Sequence, residues 1–177
     1  RNPDRRCDSI PRLRRRARRK NFVRANDWRL IIGKTTLENI MSDRESVLAA
    51  NRAFYDAFES LDAEKMEAVW LKDPRIICIH PGWRKLSGWG PIMSSWERIL
   101  DNVFEMKFEL GEIEVMISGD LAIVVVEENL TQRGYEGTQR SNVLATNVFE
   151  RVGNAWFMVM HHGSPVMAPS DDEPPLQ

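Results

Sequence analysis

A chain of 177 residues, 42% hydrophobic and 29% charged, has the size of one ordinary domain with an appendage. No apolar run reaches the ~18 residues needed to cross a bilayer as a helix, and no apolar signal core stands near the start. The net charge of −1 hides an asymmetry that excludes a uniformly basic chain: residues 1–40 hold 13 Lys/Arg against 4 Asp/Glu, and residues 41–177 hold 12 against 22.

Residues 1–40 read as a basic, largely unstructured extension, because the run Arg12 to Lys20 has almost no apolar periodicity. Three roles compete for it. An Arg-rich start suits organelle targeting, and a basic block suits a nuclear signal or a phosphate-binding arm. The third reading, an upstream extension without function, is favoured because Met41-Ser42-Asp43-Arg44-Glu45 resembles a natural beginning. Nucleic-acid binding is disfavoured, since no aromatics interleave with the basic run. Ile32-Gly33-Lys34-Thr35 mimics the end of a phosphate loop, but Trp28 stands where that loop needs glycine. Cys7 and Cys78 fit no disulfide or zinc spacing, so a reducing, cytoplasmic setting is the simplest expectation.

The organised domain is expected over residues 41–168, with an acidic, proline-containing disordered tail at 169–177. Ser42 and Glu45 form a capping-box pattern, and Val47, Asn51, Phe54, Tyr55 and Phe58 recur at helical spacing. A short helix follows from Asp62, with Leu61 and Met66 spaced as a hydrophobic staple. Asp73-Pro74 ends it, and Arg75 to Ile79 reads as a strand with Cys78 and His80 on one face. Trp83 and Trp89 place costly aromatic surface in the loop beyond, as a cavity roof or simple packing would require. Gly90-Pro91 opens a third helix through Ile92, Met93, Trp96, Ile99 and Leu100.

Beyond it the period changes to two. Met106, Phe108 and Leu110 alternate, then Ile113, Val115 and Ile117 alternate in the opposite phase, with Gly111 at the break predicting a bulge. Leu121 to Val126 is apolar on both faces and therefore central. A polar loop around Gly134 and Gly137 leads to the last two strands, near 142–150 and 154–165.

The final strand ends in His161 and His162, which must point to opposite faces. A hairpin loop of two or four residues puts Asn147 and Phe149 on one face with Trp156, Met158, Met160 and His162; a three-residue loop reverses the grouping. The former is preferred, with Asn147 and His162 facing inward.

Helices segregated ahead of an antiparallel sheet make an α+β domain. The stretches Val47 to Phe58, Cys78-Ile-His-Pro-Gly-Trp83, Thr146-Asn-Val-Phe149 and His161-His-Gly-Ser-Pro165 resemble the SnoaL-like branch of the nuclear transport factor 2-like superfamily, which includes ketosteroid isomerase relatives. The resemblance implies a cone-shaped domain: a curved antiparallel sheet wrapped around three N-terminal helices, with a pocket between them and dimerisation through the sheet. It also implies a carboxylate base with Tyr or Asp donors, for which Glu127, Glu128 and Asp101 are all available and none is singled out by a motif.

Imidazole titrates near neutrality, so His162 and His80 are the candidates for proton transfer. Tyr55, Trp70, Trp83, Trp96, Asn147 and Met160 are expected to line the ligand site with them. No metal or cofactor is expected: the twin histidines diverge, and no Cys or carboxylate joins them at ligand spacing. Ser164 and Cys78 lack the context of a nucleophile. Three functions stay open: a pocket for a small, mostly apolar ligand in a homodimer, a non-catalytic association module with a filled pocket, and an isomerase- or dehydratase-type enzyme.

Overall fold

The structure, a computed structural model, describes residues 34–167, with side chains from residue 42 onward. The basic run at 12–20 and the tail at 169–177 lie outside the described residues. Helix α1 runs from Lys34 to Glu59. The capping box expected at Ser42 and Glu45 is therefore not used. No Gly or Pro interrupts residues 34–59, so nothing forces the helix to begin at the first residue able to cap it. Asn51, Phe54 and Tyr55 are buried on one side of α1, as their spacing predicts.

Helix α2, Ala63–Val69, starts where expected: the Asp62 carboxylate accepts from the amides of Glu64 and Lys65 at 3.0 and 3.2 Å. Strand β1, Ile77–Ile79, pairs with a two-residue strand β2, Leu86–Ser87, too short for any periodicity to reveal. Helix α3 spans Trp89–Asp101. Its cap is Gly88 at φ 81°, so Pro91 is the third helical residue instead of the first. Proline is tolerated there because first-turn amides have no intrahelical partner.

Strands β3 (Val103–Ser118), β4 (Leu121–Gly134), β5 (Gly137–Val152) and β6 (Ala155–Pro165) follow as antiparallel neighbours. The sheet order is β2-β1-β6-β5-β4-β3, and β1 runs parallel to β6. The bulge at Gly111 is present, as a register shift between Leu110 and Ile113. A Cβ on Gly111 would stand 3.1 Å from Cβ of Glu127, so a side chain at the break would crowd that neighbour. The three helices cover one face of this six-stranded sheet, and the core is the layer between them, with Phe54, Trp96, Phe149 and Met158 at its centre.

The last hairpin turns through two residues, and Val152 pairs with Ala155 as a two-residue loop dictates. Phe149 pairs with Met158, but Val148 then pairs with Met160, leaving Val159 as an extra residue. This bulge overturns the expected facing of the twin histidines. Beyond it every side chain changes face: Asn147 is opposed by His161, Thr146 by His162 and Val148 by Met160. His161 is buried, while His162 and Met160 lie on the outer face, so neither belongs to the interior site assigned to it from sequence. The bulge falls where β6 changes its neighbour. Leu71 donates its amide to the Met158 carbonyl at 2.9 Å and Trp70 bridges Met158, whereas Met160 to His162 pair with β1.

Candidate functional site

Along β4, Ala122, Val124, Val126 and Glu128 are all buried, so a carboxylate occupies the fourth inward position of an otherwise apolar stripe. Glu127 and Asp101 are exposed. Of the three carboxylates available from sequence, only Glu128 reaches the interior. The signal was legible: Glu128 continues the alternation of the three small residues before it. What masked it was the apolar character of Leu121 to Val126 on both faces.

Glu128 is held from α1. The Tyr55 hydroxyl donates to its Oε1 at 2.7 Å. Asn147 on β5 donates through Nδ2 to the Tyr55 oxygen at 3.3 Å and to Oδ1 of Asn51 at 2.9 Å. Its own Oδ1 lies 2.7 Å from Nδ1 of His161. Since that oxygen can only accept, His161 carries its proton on Nδ1 and Nε2 is left with a lone pair. The result is a directed chain, His161 to Asn147 to Tyr55 to Glu128, each group donating to the next.

Burial sets the charges. It raises the Glu128 carboxyl to about 7, against a smaller opposing pull from the Tyr55 bond. Burial, then the nearby Glu128 charge, pushes the Tyr55 hydroxyl far above its ordinary range. His161 is lowered to about 3 by burial first and then by His80 and His162. His80 is lowered to about 4 by burial and by the Arg98 charge. Both imidazoles are therefore neutral at pH 7. Ser95 gives its proton to the Ile92 carbonyl at 2.6 Å, so it must accept from Nε2 of His80 at 2.8 Å. Cys78 beside it is buried and its thiol is pushed up to about 12, which makes it inert as a nucleophile.

Glu128, His161 and His80 border a recess of about 340 Å³ between β3–β6 and the second half of α3, walled by Trp96, Phe108 and Trp83. Of the residues singled out from sequence, the structure brings His80, Trp83 and Trp96 to this recess. Tyr55 and Asn147 stand one layer behind, reaching it through Glu128 and His161. Trp70 is packed into the core away from it, with its ring centroid 6.4 Å from that of Trp96. Arg98 stacks on the outer side of the roof, 4.7 Å from the Trp83 ring. Among the described residues no three His, Cys, Asp or Glu side chains are grouped to hold a metal ion, and no helix is long and apolar enough to cross a membrane.

Comparison with known proteins places this geometry. Residues 47–169 match the SnoaL-like domain family. The chain is 37% identical to a proposed dehydratase of the NTF2-like family from Streptomyces avermitilis, with TM-score 0.68 over 72% of this chain and 98% of that one. It is 34% identical to a proposed calcium/calmodulin-dependent protein kinase type II association domain from Thiobacillus denitrificans, with TM-score 0.61 over 67% and 94% of the two chains. An NTF2-like superfamily protein from Salmonella enterica superposes with TM-score 0.69 over 76% and 99% at 14% identity, a likeness of fold alone. F-box protein SKIP8 of Arabidopsis thaliana is 26% identical over 119 residues, which are 67% of this chain and 49% of that protein. The chain thus spans about half the length of that curated relative.

Proposed function

We propose, from the fact that this chain belongs to the SnoaL-like domain family of the NTF2-like superfamily, that its recess binds a small, mostly apolar molecule and that two copies pair through the outer face of the sheet. One observation carries the ligand reading: a buried carboxylate and a buried imidazole with an uncommitted Nε2 converge on an aromatic-walled recess. Burying polar groups without partners is costly, and a recess of this size with a few convergent polar atoms is the usual form of a small-molecule site. Soaking crystals with a panel of small ring compounds tests it. Density between Trp96 and Glu128 supports the reading, and a panel that leaves the recess empty at millimolar concentration ends it.

Proton-transfer catalysis in the same recess is a second reading, favoured by the Glu128 carboxyl near 7, where an acid–base group is most effective. The relative described as a proposed dehydratase points the same way. The expected signature is turnover of a ring ketone or hydroxy compound that rises through a pH near 7 and is lost in Glu128→Gln. Turnover unchanged in that variant removes Glu128 from the reaction.

The pairing reading is supported by an apolar row across four strands. Register places Met116, Ile123, Val148 and Met160 side by side on the face away from the helices, with Met116 and Ile123 exposed. Such a stripe is unusual on a lone domain.

A further inference from the structure

We infer that the recess selects an uncharged ring compound carrying a hydroxyl, a phenol or a cyclic alcohol, over the corresponding ether or carboxylate. The inference rests on the ligand reading above and concerns the polarity of the deep wall.

The atoms that the wall offers are acceptors. His161 has committed its one proton to Asn147, so Nε2 can only accept. His80 has committed its Nε2 proton to Ser95, and its Nδ1 faces the Cys78 thiol at 3.9 Å. Glu128 uses Oε1 for the Tyr55 hydroxyl, and the described residues supply no donor to Oε2. Anions are disfavoured by the same inventory. No Lys or Arg borders the recess among the described residues; Arg98 lies against Trp83, and both imidazoles are held neutral. An anion would meet the Glu128 carboxylate and the His161 lone pair, while the Arg98 charge that reaches His80 sits over the Trp83 ring and not among the recess lining.

The indole N–H of Trp96 is unpaired but fully buried, so it is shut off from the recess and adds no donor to the wall. A hydroxyl is the smallest neutral group that donates to such acceptors. An ether lacks the proton and a carboxylate lacks it with added charge. Gln132, Ser141 and Asn142 stand at the mouth of the recess, and Ser141 and Asn142 are exposed to water, so they add little to this discrimination.

Calorimetric titration of the intact chain at pH 8 with 2-naphthol, 2-methoxynaphthalene and 2-naphthoate tests the inference. The three probes share one ring system and differ in the group presented. The expected order is naphthol first, by about tenfold or more over the ether, and naphthoate last. In Glu128→Gln, naphthol affinity falls several-fold while the ether is unchanged, which also shows that the variant is folded. An ether that binds as tightly as naphthol, or naphthoate that binds best, overturns the hydroxyl assignment and leaves the ligand site standing. Failure of all three probes to bind removes the ligand reading and this inference with it.

Discussion

Burial keeps a proton on Glu128 until about pH 7, whereas an unfolded chain loses it near 4.5. The folded state therefore binds more protons between those limits, and the stability that follows is complete below 4.5 and lost as pH rises through 7. The two buried imidazoles act in the opposite sense. Their depressed values of about 4 and about 3 give stability that is present above 6.5 and lost as pH falls. Urea unfolding of Glu128→Gln separates these contributions: between pH 4 and pH 8 the variant gains about 3 kcal/mol relative to the parent. A difference that does not change with pH rules out the raised carboxyl. Asn147 is central to the same chain, because its replacement strands His161, Tyr55 and Asn51 together. Asn147→Leu is expected to cost about 2–4 kcal/mol by thermal or urea unfolding, and a loss below about 1 kcal/mol would mean that water satisfies the stranded groups.

Strand β6 shows how one inserted residue redirects a whole element. Val159 is the extra residue, so removing it leaves Val148 opposite Met160 and Asn147 opposite His161, and His161 stays inward. Deletion of Val159 is therefore expected to keep the domain folded at a cost of about 1–3 kcal/mol, and Val159→Ala to cost about 1 kcal/mol. Loss of folding on deletion would mean that the bulge itself is required where β6 passes from Trp70 to β1. Farther along β6, a Cβ on Gly163 would lie 2.9 Å from Cγ of Pro81 and 3.1 Å from Cγ1 of Val143. Both neighbours are rigid, so Gly163→Ala is expected to destabilise by about 1–3 kcal/mol. At the start of α2, Asp62→Ala removes the partner of two amides and is expected to lower the thermal midpoint.

For the molecule as a whole, the proposed dimer places the row Met116, Ile123, Val148 and Met160 at its interface. The parent is expected to sediment as a dimer at micromolar concentration, and Ile123→Lys as a folded monomer, since a charge at the centre of an apolar interface is left unpaired. A monomeric parent removes the pairing proposal and leaves the recess untouched, because Glu128 and Ile123 lie on opposite faces of β4.

Local patterning in this sequence determined the α+β order, the inward stripes of α1 and α3, the cap at Asp62 and the glycine bulge in β3. Each is a property of neighbouring residues: side-chain period, a capping carboxylate, a residue without Cβ. The site was less legible. Trp83, Trp96 and His80 stand out as residue types and lie at the recess, yet His161 was exchanged for His162 and Glu128 was not distinguished from Glu127. Tertiary structure decided both. The bulge in β6 coincides with its change of partner from Trp70 to β1, and neither partner is near it in sequence. The raised carboxyl of Glu128 depends on burial under α1 and on a hydroxyl 73 residues away. Alternation along a strand identifies the residues that share a face only while the register is unbroken, and a register is a relation between strands.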